Sequence, residues 1–150
     1  MHRTTIGFKI FSVLIISGLA IYSQLLLAEE KQEIDEKREE YKSTAKQTKV
    51  LQDDLAVIEG KEVNIIAVEL LPGWVGEKHY HTGDVFVYVQ EGEFIVDVEG
   101  EGRKSFGPGE VYHEAVNKVM QARNGSQTNT TKVMLFQVGN KGEPLMIKAE

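Results

Sequence analysis

The chain contains no cysteine. Disulfide bonds, thiolate-bound metals and cysteine nucleophiles are therefore excluded, and so is a lipid anchor attached through a cysteine. The compartment stays open, because the absence fits an exported bacterial protein as well as a cytosolic one. A basic excess is also missing: 17 Lys and Arg stand against 23 Asp and Glu, a net charge of -6. A surface that neutralises phosphates needs the opposite balance, so nucleic acid is not an expected partner. Serines are few, and none sits in the context of a nucleophile elbow, so no catalytic triad is visible. Long apolar runs are confined to one place, Ile10–Ala28, which carries no charge.

That run is preceded by Arg3 and Lys9 and followed by "EEKQEIDEKREE". A basic flank, an apolar stretch and an acidic exit set an orientation with the N-terminus inside and the rest exported. Two readings of residues 1–28 follow. A secretory signal would be cut after Ala20 or Ala28. An uncleaved anchor would use all of Ile10–Ala28, about the length that crosses a bilayer. The expected location is periplasmic or secreted, with inner-membrane attachment possible through residues 10–28.

Residues 29–54 are dense in Glu, Lys, Gln and Asp and almost devoid of aliphatics before Val50. Glu33 and Lys37 favour a helix at four-residue spacing, whereas Glu36 and Glu40 oppose it. The segment is expected to be a charged helical linker. Residues 55–150 have another texture. "VNIIAVELLPGW" is β-rich and ends on the turn signal Pro72-Gly73. "VFVYV" and "FIVDV" flank "QEGE" as a hairpin. "VYHEAV" and "KVMQAR" are short strands, and "KVMLFQV" is a final core strand. "NGSQTNTT" is a polar loop whose two glycosylation-type triplets, at Asn124 and Asn129, read as turn chemistry. Short strands with no helical stretch between them indicate an all-β barrel or sandwich. The hydrophobic content, 41% over 150 residues, suffices for one core.

Two of the four histidines, His79 and His81, stand one residue apart before a hairpin strand. Residues i and i+2 of a strand share a face, so both imidazoles can enter a barrel and begin a divalent-metal site. A further ligand is needed. Asp84 lies one residue out of phase, unless a turn at Thr82-Gly83 swings it in. His113 and Glu114 point to opposite faces of a regular strand, so only one enters easily. The alternative is that the two histidines only form hydrogen bonds inside a pocket. Tyr80 should face away from them. Trp74 is expected at the barrel mouth. Phe86, Tyr88, Phe94 and Phe136 default to the core, and Arg123 either holds an anion, lies at the surface or pairs with a Glu.

The spacing resembles the cupin family. Gly73 is followed by five residues and then His79-Tyr80-His81, and Gly92 closes the first motif, but Val85 stands where that motif carries Glu. In the second motif Gly109 is followed by "EVYHE", Ala115 replaces Pro, Asn117 replaces Gly, Met120 replaces the last His ligand, and Asn124 is retained. The resemblance implies a double-stranded β-helix (jelly-roll, cupin barrel), preceded here by the N-terminal hydrophobic helix and the charged linker. It implies a homodimer as well. It also implies Glu114 as the carboxylate that accompanies an apolar residue at position 85, giving two imidazoles and one carboxylate around Fe, Mn, Zn, Ni or Cu. Met120 is then a soft, weak ligand or a packing residue. Three functions are expected to compete: metal-dependent chemistry on a small molecule, dioxygenase- or isomerase-like; non-catalytic binding or sensing with a vestigial metal site; and a membrane-tethered structural or accessory domain, suggested by the N-terminal run and charged stalk.

Overall fold

The computed structural model describes residues 21–33 and 38–150. Residues 21–33 are helical, with Ile21, Tyr22 and Leu25 exposed. The chain divides into Met1–Arg38 and Glu39–Glu150. Among the described residues no helix is long and apolar enough to cross a membrane. Most of the segment read as signal or anchor, residues 10–20, lies outside the described residues.

The second unit is built from ten strands in two five-stranded antiparallel sheets. The first has the order β1 (Lys46–Asp54), β2 (Lys61–Leu70), β9 (Thr131–Asn140), β4 (Asp84–Glu91), β7 (Val111–Glu114). The second has the order β10 (Met146–Lys148), β3 (His79–His81), β8 (Met120–Asn124), β5 (Phe94–Val98), β6 (Gly102–Phe106). This is the expected jelly-roll. Period-two patterning explains it directly. In β4, Val85, Val87 and Val89 are buried and the residues between them are not. In β5, Phe94, Val96 and Val98 behave likewise, and Met120 and Ala122 of β8 join the same apolar cluster.

Turn chemistry holds the connections. Gly92, at φ +80°, packs so closely that an added Cβ would lie 2.9 Å from Thr131 Cα. Asn117, in place of the motif's glycine, takes the left-handed conformation at φ 60°. Asn tolerates that region better than most side chains. Its amide donates to His81 O at 3.0 Å, which ties this turn to the histidine strand. Asn124 is buried and saturated: Nδ2 donates to Leu70 O, Leu71 O and Asn129 O, and Oδ1 accepts from Ser126 N and Thr131 Oγ1.

Two expectations are corrected. The charged segment is not helical through residue 54, because Lys46–Asp54 forms edge strand β1, paired with β2 from Lys46↔Glu69 to Asp54↔Glu62. All nine of its residues are exposed, so no buried face imposes an alternation that could be read. The compact unit consequently starts at Glu39 rather than at residue 55. Secondly, Phe86, Tyr88 and Phe136 are not core. They lie on the outer face of the first sheet and remain exposed, with Phe86 opposite Phe136; of the four strand aromatics only Phe94 is buried. Arg123 also faces outward, and its partner is Asp97, not a Glu.

Residues 39–150 expressed alone are expected to melt cooperatively, close to the full chain, in a circular-dichroism scan. A 55–150 fragment loses β1 and the buried Tyr41 and Ala45. Burial of one large apolar side chain is worth about 1.5–3 kcal/mol, and 1 kcal/mol shifts Tm by roughly 4–8 °C at this size. The shorter fragment should melt at least about 5 °C lower; equal melting points would show that the domain does begin after β1.

Candidate functional site

Strand β3 is only three residues long, with His79 and His81 buried and Tyr80 half-buried between them on the other face. The two rings meet edge-on, centroids 5.2 Å apart at 82°. Each imidazole has one nitrogen committed to backbone. His79 Nδ1 lies 2.9 Å from Glu77 O, and His81 Nδ1 lies 3.1 Å from Leu145 O. A carbonyl only accepts, so Nδ1 carries the hydrogen in both rings and Nε2 is the remaining nitrogen. This is the arrangement in which outer partners orient metal-binding histidines.

The carboxylate is Glu114. Its Oε2 lies 3.1 Å from His81 Nε2, and both side chains are buried. Its position follows from register. Val85, at the site of the missing motif Glu, stands opposite Glu114 on β7 and opposite Gln137 on β9. The acid is displaced one strand sideways while remaining on the inner face. With His81 Nδ1 spent on Leu145 O, the contact is a hydrogen bond when one proton lies between Nε2 and Oε2. Metal–nitrogen and metal–oxygen bonds are both about 2.0–2.2 Å, so two neighbouring ligands sit about 2.9–3.4 Å apart, and this pair suits a shared cation equally well. No protein group hydrogen-bonds His79 Nε2 among the described residues, and the atom is not a buried orphan either, so it is open to the cavity that His79 lines. As they stand, however, no group of three or more His, Asp or Glu side chains among the described residues is gathered tightly enough to hold a metal ion. The donor types fit a divalent metal, and one pair has the right separation; the third donor is not drawn in.

Burial pushes the His79 imidazole below its ordinary value, with the neighbouring His81 ring acting in the same direction; the Glu77 carbonyl and Glu114 oppose them. His79 is therefore neutral, and able to coordinate, at neutral pH. The sign for stability follows. Below about pH 6.5 the unfolded chain protonates this residue and the folded chain resists, so folding weakens as pH falls through that range.

The other candidates lie elsewhere. His113 points to the outer face, half-exposed, stacked on Phe86 at 4.7 Å, with Nε2 2.8 Å from Asp84 Oδ1. Asp84 is thus outside the cavity. The chain at Gly83 is pinned against β9, where an added Cβ would lie 2.7 Å from Gly139 Cα, and β4 begins in regular phase. Met120 is fully buried opposite His79, within the apolar cluster, and does not line the cavity. It packs.

Beside the His–Glu group is a cavity of about 40 Å³. That is room for two or three waters or a very small ligand group. Its polar lining is His79, His81, Glu114, Tyr41, Ser43 and Gln47, set among apolar residues such as Leu70, Phe94 and Leu135. Sequence reasoning missed Tyr41, Ser43 and Gln47 because they fall in the charged segment. It also missed Gln137, whose Nε2 donates to Leu145 O, the carbonyl that His81 uses. A signal existed for two of these: Tyr41 is a lone aromatic among charges, and Gln137 is a polar residue at an inward phase of an apolar strand.

Comparison with known proteins places the domain. A family model described as a cupin domain matches residues 66–136. A conserved double-stranded β-helix protein from Klebsiella pneumoniae is 17% identical, with TM-score 0.55, over 78% of this chain and 88% of that one. A cupin superfamily protein from Desulfitobacterium hafniense is 14% identical, with TM-score 0.54, over 68% of this chain and 84% of that one. The DMSP lyase DddQ from Ruegeria pomeroyi is 16% identical, with TM-score 0.49, and the match spans only 40% of that enzyme. No curated protein matches. Residues 66–136 thus match a cupin domain, and the two antiparallel sheets agree with that fold. At these identities the likeness to solved structures is one of fold.

The two acidic positions should separate cleanly in denaturant melts. Glu114→Ala leaves buried His81 Nε2 without a partner and should cost about 1–3 kcal/mol. Asp84→Ala breaks an exposed pair and should cost under about 1 kcal/mol. Equal costs would argue against a buried, partnered Glu114.

Proposed function

We propose that the barrel binds a small molecule in the cavity beside His79, His81 and Glu114, and that these three side chains hold a divalent metal there. The observation that carries this reading is the buried His81–Glu114 contact at 3.1 Å, flanked by a second imidazole whose Nε2 is open to the cavity. A bound metal would supply Lewis acidity and open coordination positions for a ligand. The chain's own groups do the rest. The backbone carbonyls of Glu77 and Leu145 hold the imidazoles in one tautomer, and the apolar wall limits the ligand to something small. A second reading, binding without metal, is favoured by the absence of a gathered three-donor group among the described residues. In that case His81 and Glu114 act as a hydrogen-bonding pair toward the ligand.

Elemental analysis of protein purified without added metal distinguishes the two. The metal reading expects near-stoichiometric Mn, Fe, Co, Ni, Cu or Zn, falling at least tenfold in His79→Ala, His81→Ala and Glu114→Ala. Affinity should weaken as pH falls below the ordinary imidazole range, where protons begin to compete for a His79 ring that burial holds neutral. Val85→Glu gives a sharper test. It sets a second buried carboxylate directly opposite Glu114, so the metal-free variant should melt lower than wild type, and Zn²⁺ should more than restore it. No metal uptake by wild type, and no Zn²⁺ effect on Val85→Glu, would leave the metal-free reading.

We further propose that two copies pair through the outer face of the first sheet. Phe86, Tyr88, Phe136 and Val111 form its exposed apolar centre. Charges of both signs, in the pairs Lys132–Glu91 and Lys46–Glu69, border the same sheet. Such a mixed border lets an isologous pair match itself. Light scattering should give a dimer at micromolar concentration, and Phe86→Lys with Phe136→Lys should return it to monomer. A monomeric wild type would refute the pairing.

A further inference from the structure

We infer that Tyr41 is a positioning residue of this site, supplied from outside the part of the chain that matches the family. The inference rests on the reading of the cavity as a binding site, but its evidence is separate. The family match begins at residue 66, whereas Tyr41 belongs to the short run that precedes β1. That run is tied to the last strand. Lys148 N donates to Glu39 O at 2.8 Å, Glu40 bridges to Ile147, and Tyr41 N donates to Met146 O at 3.0 Å. Trp74 Nε1 adds a hydrogen bond to Thr44 Oγ1 at 3.0 Å. Three hydrogen bonds over residues 39–44, two of which make the Glu40–Ile147 bridge, fix a strap beside the cavity.

Tyr41 grips His79 in two ways. Its ring stacks on the imidazole, centroids 4.9 Å apart and planes 26° from parallel. Its hydroxyl accepts the Glu77 amide at 3.0 Å. Glu77 is the residue whose carbonyl takes the His79 Nδ1 hydrogen. The phenol therefore holds one face of the ring and also anchors, through its amide, the residue whose carbonyl selects its tautomer. A side chain that only filled space would need neither contact. Tyr41 is 6% exposed although it sits among charged residues, which marks it as anchored rather than incidental. Stacking sets ring orientation, and the carbonyl sets which nitrogen faces the cavity. With Tyr41 removed, the His79 ring gains freedom to rotate and to exchange tautomers. The site is thus complete only when the strap is docked, so its competence depends on a segment that joins the barrel to the preceding helical part of the chain.

The test uses the full chain with ¹⁵N-labelled histidine. In wild type, His79 should show a single tautomer with hydrogen on Nδ1, and nuclear Overhauser contacts from the Tyr41 ring. Tyr41→Phe keeps the stack and should preserve most of that signature. Tyr41→Leu should give averaged ring-nitrogen shifts at His79 while His113 is unchanged. It should also lower Zn²⁺ affinity about tenfold or more, the usual scale for losing an outer partner of a ligand. A Tyr41→Leu protein that is folded and gives the wild-type His79 signal overturns the inference. So does a wild type with mixed tautomers at His79, or without Tyr41 contacts to its ring; this measurement needs no variant and stands even if Tyr41→Leu fails to fold. Wild type that takes up no Zn²⁺ yet shows the His79 signature and its loss in Tyr41→Leu would refute the metal and keep the positioning role.

Discussion

The site depends on one parity. Strands β4 and β7 pair so that Val85 faces Glu114 and Phe86 faces His113. Side chains alternate across a strand with a period of two, so this register sends Glu114 to the cavity and His113 to solvent. A slip of β7 by one residue against β4 would exchange them, turning His113 inward and expelling the acid. Nothing polar selects the phase of β4 as strongly as the valines do. Val85, Val87 and Val89 are all fully buried, and moving them to the outer face would surrender several kcal/mol of apolar burial. The valines thus fix the phase of β4, and the β4–β7 register then places the one buried carboxylate of the cavity.

Parity also explains how the motif survives the loss of its acid. Val85 keeps its place and its inward direction. The carboxylate comes instead from the adjacent strand, directly across the ladder, at 3.1 Å from the same imidazole. A sheet offers two such lateral neighbours at every inward position. At Val85 one is Glu114 and the other is Gln137. They are used differently: Glu114 meets His81 itself, while Gln137 meets the Leu145 carbonyl that orients His81. One valine is therefore flanked by a residue that contacts the ring and a residue that secures the ring's support.

Much of this was legible in the chain. The His79–His81 pair, the turn glycines, the alternation of β4 and β5 and the opposed phases of His113 and Glu114 all depend on local period, which a sequence displays. The misplaced features depend on what lies across a ladder. Strand β1 has no buried face, so its charged composition looked like a helical linker; only its hydrogen bonds to β2 make it a strand. Phe86 and Tyr88 are the exception: the β4 alternation that buries the valines already puts them outside, and their apolar composition hid it. Asp84 stayed outside because Gly83 is pressed against β9, a long-range contact with no local sign. Tyr41 and the Leu145 carbonyl reach the site from the two ends of the domain; the first has only its aromatic ring among charges as a local sign, and the second has none.

The polar groups of the cavity also limit what can enter it. Two imidazoles and a carboxylate away from bulk water would be costly if left unpaired, and each is relieved in part: Nδ1 of both rings by a carbonyl, Glu114 by His81. The acceptor capacity of the second Glu114 oxygen and the free Nε2 of His79 remain. Among the described residues the cavity lining contains no Lys or Arg. A purely anionic ligand would therefore meet a carboxylate with no fixed cation to offset it. A cation, or a neutral molecule that donates to Glu114, meets the opposite situation. The same unspent capacity that makes the site imperfect as a core would, if the cavity binds a ligand as proposed, favour positive charge or hydrogen-bond donors at the buried end. The divalent metal proposed above would meet that demand compactly, with His81, Glu114 and the free nitrogen of His79 as the residues that would hold it.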